Sequence, residues 1–178
     1  MCQALTKYFL KYNINQPFVI TVEEDPMDVY ENLKKLNITL PEPPPRGGLY
    51  IPVNDFGDKL LFTAGTVPIK DGKPAYVGKA GEVSVEYAQE AARLCIINIL
   101  SNVQKKIGDL NKIKKIIKIL GFIASKEDFT QQPLVMNAAS ELLVNIFGDN
   151  GQHARSAIGV TVLPFNVTVE IELILELK

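Results

Sequence analysis

Residues 151–172 read GQHARSAIGVTVLPFNVTVEIE and contain two runs rich in β-branched residues. In the second run, polar and apolar side chains alternate from Val167 onward, which is the period of two expected of a strand with one buried face. The segment LPFN at 163–166 joins the two runs. A short proline-containing connection between β-rich runs predicts a hairpin, so we predict that the two strands are antiparallel neighbours.

The register of this predicted hairpin places its charged side chains on one face. We pair Val162 with Val167, because a slip of one residue would turn a whole apolar set to the wrong side. One face then carries the charged and small residues, which are Arg155, Ala157, Gly159, Thr161, Thr168, Glu170 and Glu172. Small side chains between a guanidinium and a carboxylate describe the floor of a pocket for a small anionic ligand. A solvated outer sheet face with incidental charges is the alternative that the pattern leaves open.

Composition bounds the class of protein. The chain has 178 residues, is 47% hydrophobic and carries a formal net charge of −1, which predicts one compact core and disfavours a nucleic-acid partner. No apolar run is long enough to span a bilayer, so we expect no membrane partner. Residues 1–22 contain two lysines and no acid, a faint resemblance to an organelle presequence, but they also lack arginine and serine. We therefore predict a cytoplasmic location.

The cysteine and histidine content indicates neither a disulfide nor a metal site. Cys2 and Cys95 are far apart and have no CxxC or CxxH context. His153 is the single histidine, which excludes a multi-histidine metal centre. We expect neither a metal nor a cofactor.

The order of elements predicts an α+β fold. Residues 1–42 are interpreted as an N-terminal extension with a short helix, a strand, a helix and a proline-rich linker, and residues 43–178 as the main domain. Within the domain we predict strands at 50–54, 59–64 and 74–77, a helix capped by Ser84 and ended by Gly108, a strand at 112–124, a helix at 134–147 ended by Gly148, and the hairpin. This order indicates a mixed sheet with two helices packed on one face. The strand at 112–124 is apolar on both faces, so we expect an oligomer to cover the open face.

These residues resemble the RidA/YjgF family of enamine and imine deaminases, also described as L-PSP endoribonuclease-like. The resemblance covers 43–178 and is strongest in Arg155-Ser156, Leu163-Pro164 and Val169-Glu-Ile-Glu172, which match the family's R-S/T, L-P and V-E-I-E signature. Weaker matches are Gly48-Leu-Tyr50, FTAGTVP at 62–68, Asp128-Phe129 and VMNAA at 135–139. The segment QHARSAIG at 152–159 resembles a distinct long-form branch.

The resemblance implies a chorismate-mutase-like fold and a homotrimer with a cleft between each pair of subunits. It implies that Arg155 binds the substrate carboxylate and that Glu170 directs the attacking water. The positions that it implies for the lining of the cleft are Tyr50, Ala64, Gly65, Asn137 and Ala157, with His153 and Glu172 as weaker candidates. A structural loop histidine is the alternative for His153. Many members have Ser, Gln and Cys where this chain has Ala64, Thr66 and Ala157, so a less polar pocket is expected.

The activity implied is hydrolytic deamination of reactive 2-enamine and 2-imine acids, such as 2-aminoacrylate, to 2-oxo acids and ammonia without a cofactor. The alternatives are a noncatalytic trimer that binds a small carboxylate as a regulator, and an endoribonuclease or translation inhibitor. In the predicted register Arg155 and Glu170 lie roughly 13 Å apart at the strand rise. A three-carbon imino acid is too short to bridge that distance, so we expect the two residues to meet around one ligand only across a subunit boundary.

Overall fold

The computed structural model describes residues 28–178, so the short helix and the strand predicted within residues 1–22 lie outside the described residues. The helices are α1 (Val29–Lys35), α2 (Val85–Ile107) and α3 (Gln132–Phe147). The strands are β1 (Val53–Phe56), β2 (Leu60–Thr63), β3 (Ile69–Lys70), β4 (Lys73–Pro74), β5 (Ile113–Ala124), β6 (Ala154–Val160) and β7 (Val169–Leu177).

The two long helices begin and end where local chemistry predicts. The side chain of Ser84 accepts a hydrogen bond from the backbone N–H of Tyr87, and Gly108 ends α2 with a φ of 82°. Pro133 lies in the first turn of α3, and Gly148 ends that helix. Both predicted helices are therefore confirmed.

The main sheet has five strands in the order β1-β2-β7-β5-β6. β5 pairs antiparallel with β7 and parallel with β6, so the predicted direct pairing of the two C-terminal runs is wrong. The chain runs from β5 through α3 to β6, and a helical crossover between two strands makes them parallel. The connection from β6 to β7 then passes over the end of β5, where Ala124 N donates to Thr168 O at 2.9 Å and Ser125 N to Val160 O at 3.0 Å.

This insertion changes which residues share a face. Ile119 of β5 lies opposite Arg155 on one side and Leu173 on the other, whereas Phe122 lies opposite Ile158 and Glu170. Arg155 therefore shares the face covered by α2 and α3, and Glu170 lies on the open face. The prediction that Arg155 and Glu170 share a face is wrong, because β6 and β7 each pair with β5 and not with each other.

The small residues of this region have different surroundings. A Cβ on Gly121 of β5 would overlap Met136 of α3, and a Cβ on Gly159 would lie 2.8 Å from Gln132 Nε2. Ala157 packs against the main core. Gly121 therefore lets α3 approach the sheet closely, and Ala157 is taken up by the core. Gly159 is exposed and lines a surface cavity with Ser125 and Gln132.

β5 also departs from simple alternation. Its pairing with β7 shifts register between Ile113 and Lys115 and again between Ile116 and Lys118. Ile116 is fully buried as a result, whereas Ile117 is 37% exposed. Simple alternation along β5 would place Ile117 on the buried face of Ile119, and the irregularity of the strand turns Ile117 to the other face.

The helix of the predicted extension packs on the domain. Val29 and Leu33 belong to the main core, Leu110 N donates to Tyr30 Oη at 3.0 Å, and Asn32 Nδ2 donates to Ile146 O at 2.9 Å. The core thus includes residues before 43. Among the helices within residues 28–178, none combines the length and apolar character needed to cross a membrane.

Candidate active site

The first cluster of candidate residues surrounds Arg155, on β6 beneath α3. Pro133, Asn137 and Ser140 recur at i, i+4 and i+7 and therefore form one stripe of the helix. Arg155 Nη1 donates to Asn137 Oδ1 and to Ser140 Oγ, each at 3.0 Å, and Nη2 donates to the Pro133 carbonyl at 3.2 Å. All three acceptors are neutral.

The Arg155 guanidinium has N–H groups available to a ligand. An arginine has five N–H groups, and three of those of Arg155 are used by α3. Within residues 28–178, the Nε–H and one Nη2–H have no acceptor, and no carboxylate forms a salt bridge with the side chain. A cation with two donors remaining and no acid beside it is suited to a small anion.

His153 is joined to the same cluster through Ser140. Its Nδ1 lies 2.6 Å from the Gly151 carbonyl and its Nε2 lies 3.0 Å from Ser140 Oγ. Because a carbonyl can only accept, we assign the proton to Nδ1, which leaves Nε2 as an acceptor. Burial lowers the pKa of His153, and the charge of Arg155 lowers it further against the opposing effect of the Gly151 carbonyl. The ring is therefore neutral at pH 7.

The second cluster surrounds Glu170 on the open face of the sheet. Phe62 lies opposite Ile174, but Thr66 lies opposite Ile171, so the chain of β2 contains one extra residue at Ala64 and Gly65. Such a bulge interrupts the pairing of β2 with β7, whereas Ala64 N donates to Pro52 O at 2.8 Å and continues the pairing of β2 with β1.

Gly65 allows Glu170 to approach the backbone of this bulge. A Cβ on Gly65 would overlap Glu170 Oε1 and lie 3.0 Å from its carboxyl carbon. Partial burial raises the pKa of Glu170, and the charge of Glu172 raises it further. The carboxylate is therefore a stronger base than an exposed glutamate.

A cavity of about 290 Å³ opens beside Gly65. Its lining includes Tyr50, Ala64, Gly65, Thr66 and Phe165, and its size is near the lower end for ligand pockets. Tyr50 is 46% exposed, and its hydroxyl accepts from the backbone N–H of Gly47 at 3.4 Å. This lining is mainly apolar, as the alanine at position 64 led us to expect.

One chain therefore divides the predicted site residues between two places. Asn137, Ala157 and His153 lie on the side of Arg155. Tyr50, Ala64, Gly65 and Glu172 lie with Glu170, on the open face or beside it. Sequence reasoning missed Ser140 and the Pro133 carbonyl. Their helical spacing to Asn137 is the signal that could have found them.

The chain is similar to known proteins along most of its length. The family described as "YjgF/chorismate mutase-like, putative endoribonuclease" matches residues 32–177. The chain belongs to the YjgF/RidA family. This confirms the predicted family and its chorismate-mutase-like fold, whereas the long-form branch stays a prediction.

Two curated relatives and one solved structure give the extent of the YjgF/RidA similarity. Protein TCP17 of Trypanosoma cruzi is 36% identical over 152 residues, which cover 84% of this chain and 94% of the relative. The putative regulator AldR of Lactococcus lactis is 31% identical over 119 residues, covering 67% of this chain and 80% of the relative. The crystal structure of Atu1372 from Agrobacterium tumefaciens is 43% identical, with a TM-score of 0.78, and covers 84% of this chain and 92% of the other.

Proposed function

We propose that the protein hydrolyses reactive 2-enamine and 2-imine acids, such as 2-aminoacrylate, to 2-oxo acids and ammonia. The observation that carries this proposal is the Arg155 guanidinium. It is held by three neutral acceptors of α3, and the described residues leave its Nε–H and one Nη2–H without a partner. These two donors can bind the two oxygens of a substrate carboxylate.

The chemistry requires a base and water but no cofactor. An enamine first becomes the imine by gaining a proton at C3 and losing one from nitrogen. Glu170 takes a proton from water as its oxygen adds to the imine carbon, and the imine nitrogen gains that proton. The resulting carbinolamine releases ammonia as its hydroxyl proton moves to nitrogen, which leaves the 2-oxo acid. The raised pKa of Glu170 supports its role as the base.

A site formed between two copies of the chain would bring the Arg155 cluster and the Glu170 cluster to the same ligand. Arg155 and Glu170 lie on opposite faces of one sheet, so the ligand contacts Arg155 of one subunit and Glu170 of another. The open face supports an assembly, because it carries exposed apolar side chains, including Phe56 at 71%, Phe62 at 40% and Ile158 at 45%. A homotrimer with a cleft at each boundary is the assembly we propose.

The activity can be tested by competition for a reactive imine. An amino-acid oxidase generates the 2-imino acid, semicarbazide traps it, and an active deaminase lowers the amount trapped. We expect Arg155→Lys to raise the KM by at least about tenfold, because an ammonium cannot replace the planar two-donor contact. Arg93→Lys is the matched control, since Arg93 pairs with Glu90 on the surface of α2. Equal activity of both variants would contradict the role of Arg155.

The shared site has its own test. Arg155→Ala and Glu170→Ala proteins should each be inactive, and unfolding and reassembling them together should restore part of the activity, because some clefts then contain both residues. Recovery should be absent when either variant is reassembled alone. A mixture with hybrid trimers but no activity would contradict the shared site.

Regulation by a bound carboxylate is the second candidate, favoured by the similarity to a relative named as a putative regulator. Arg155-dependent binding of a 2-oxo acid without turnover of any imino acid would support it. The family description also includes the words "putative endoribonuclease". RNA cleavage that Arg155→Ala abolishes would support that activity, although the net charge of −1 and the single histidine give it little support.

A further inference from the structure

The hydroxyl of Ser140 lies between Arg155 and His153, at 3.0 Å from Arg155 Nη1 and 3.0 Å from His153 Nε2. We propose that His153, acting through Ser140, is a positioning residue that fixes the orientation of the Arg155 guanidinium. The inference rests on the proposed function in one respect, namely that Arg155 binds the carboxylate of the substrate.

Each group in this chain of hydrogen bonds has one available role. Arg155 can only donate, so Ser140 Oγ accepts from Nη1 and directs its own hydrogen elsewhere. His153 Nε2 accepts that hydrogen because Nδ1 carries the ring proton and donates to the Gly151 carbonyl, 2.6 Å away. The order is therefore Arg155 to Ser140 to His153 to Gly151.

The far end of the chain is fixed by packing. Gly151 is buried, and a Cβ on it would overlap the carbonyl of Leu143 and lie 2.8 Å from Val144 Cα. The last turn of α3 thus holds the backbone of Gly151 in place. A rigid acceptor at this end sets the tautomer of His153, and the tautomer in turn sets the direction of the Ser140 hydroxyl.

The consequence is an oriented pair of donors. Asn137 and Ser140 together occupy both N–H groups of Arg155 Nη1. Rotation of the guanidinium about its Nε–Cζ bond would break both contacts, so the Nε–H and the remaining Nη2–H stay on the edge away from them. Without an acceptor at His153, the Ser140 hydroxyl is free to turn and compete for other partners, and the guanidinium loses part of this restraint.

Two substitutions of His153 separate the donor from the acceptor. His153→Asn keeps an N–H near the position of Nδ1 but has no atom near Nε2. His153→Gln places an amide oxygen near Nε2, so it can still accept from Ser140. We expect His153→Asn to raise the KM for 2-iminopropanoate by about tenfold with kcat within about twofold, and His153→Gln to restore most of the difference.

A double variant distinguishes a connected chain from two independent structural effects. If the effect of His153 passes through Ser140, Ser140→Ala combined with His153→Asn should raise the KM no more than Ser140→Ala alone. The proposal would be overturned if the two substitutions raised the KM independently, so that the double variant had a higher KM than Ser140→Ala. A decrease in kcat at unchanged KM would also overturn it. Thermal unfolding of every variant shows whether the effects merely follow stability.

A readout that needs no activity keeps this inference separate from the proposed function. The rate of rotation about the Arg155 Nε–Cζ bond, measured by nitrogen-15 NMR, should be slow in the wild type, faster in Ser140→Ala and His153→Asn, and slow in His153→Gln. Rotation in His153→Asn as slow as in the wild type would overturn the positioning role. If rotation follows this pattern but the wild type hydrolyses no imino acid, the proposed function fails and the positioning role stands.

Discussion

Replacing Gly65 with alanine should displace the Glu170 carboxylate with little effect on the stability of the fold. A Cβ at position 65 would overlap Glu170 Oε1 and lie 3.0 Å from the carboxyl carbon, whereas carbon atoms in ordinary contact are about 3.5–4.0 Å apart. The carboxylate must therefore withdraw by about 1 Å. Its atoms are at the far end of a flexible side chain, so the movement needs no shift of the backbone.

The expected effect is a large loss of rate at small cost in stability. A misplacement of about 1 Å at a reacting group can reduce a rate by about 100-fold, so kcat for 2-iminopropanoate in Gly65→Ala should fall by about that factor. The Tm should change by no more than about 2 °C. Semicarbazide trapping measures the first quantity and thermal unfolding the second.

Gly48→Ala is the matched control for this substitution. A Cβ on Gly48 would lie 3.5 Å from the ring of Tyr50, an ordinary contact, in the loop near the same cavity. This variant should retain its rate. A Gly65→Ala protein with the wild-type kcat, and with the Glu170 carboxyl titrating as in the wild type by carbon-13 NMR, would refute the reasoning. A decrease in rate that accompanies a large decrease in Tm would refute it as well.

Three further predictions concern stability. Burial and the charge of Glu172 raise the pKa of Glu170, so ionisation of this carboxyl destabilises the folded state. Glu170→Gln should therefore raise the Tm by about 1–3 °C at pH 7. This gain should vanish below pH 4.5, where the carboxyl is protonated in the unfolded chain as well. The pKa of His153 is lowered in the folded state, so neutral His153 contributes stability above pH 6.5, and this contribution is lost as the pH falls through the folded-state pKa. The decrease in Tm between pH 7.5 and pH 5 should therefore be smaller in His153→Gln than in the wild type. Gly121→Ala places a Cβ against Met136 and should lower the free energy of unfolding by about 1–3 kcal/mol in urea titrations. An unchanged Tm in Glu170→Gln, an equal pH-dependent loss in His153→Gln and the wild type, or an unchanged urea midpoint in Gly121→Ala would contradict the respective prediction.

Local signals predicted the helices well. Ser84 and Gly108 set the two ends of α2, and Gly148 sets the end of α3, because capping depends on residues within one turn of the helix. The alternation in β7 also predicted its buried side correctly, since Val169 and Ile171 are fully buried.

The strand order was not predictable from the same local signals. Alternation shows which residues of one strand share a face, but it does not show which strand lies beside it. The short segment at 163–166 favoured a hairpin, whereas β5 is apolar along both faces and takes the position between β6 and β7. The order of β5, α3 and β6 was the stronger signal, because a strand, a helix and a strand predict a parallel pair.

Glycines in the sheet region have two physical meanings in this chain. At Gly121 the missing side chain admits Met136 of α3, and the consequence is packing. At Gly65 the neighbour that gains room is the carboxylate of Glu170. This carboxylate is half-buried beside Glu172, and within residues 28–178 no cation forms a salt bridge with it. Holding it there costs stability at neutral pH, and a base with a raised pKa is the property that water activation requires. The approach of Glu170 to Gly65 therefore supports the proposed role of Glu170 as a base.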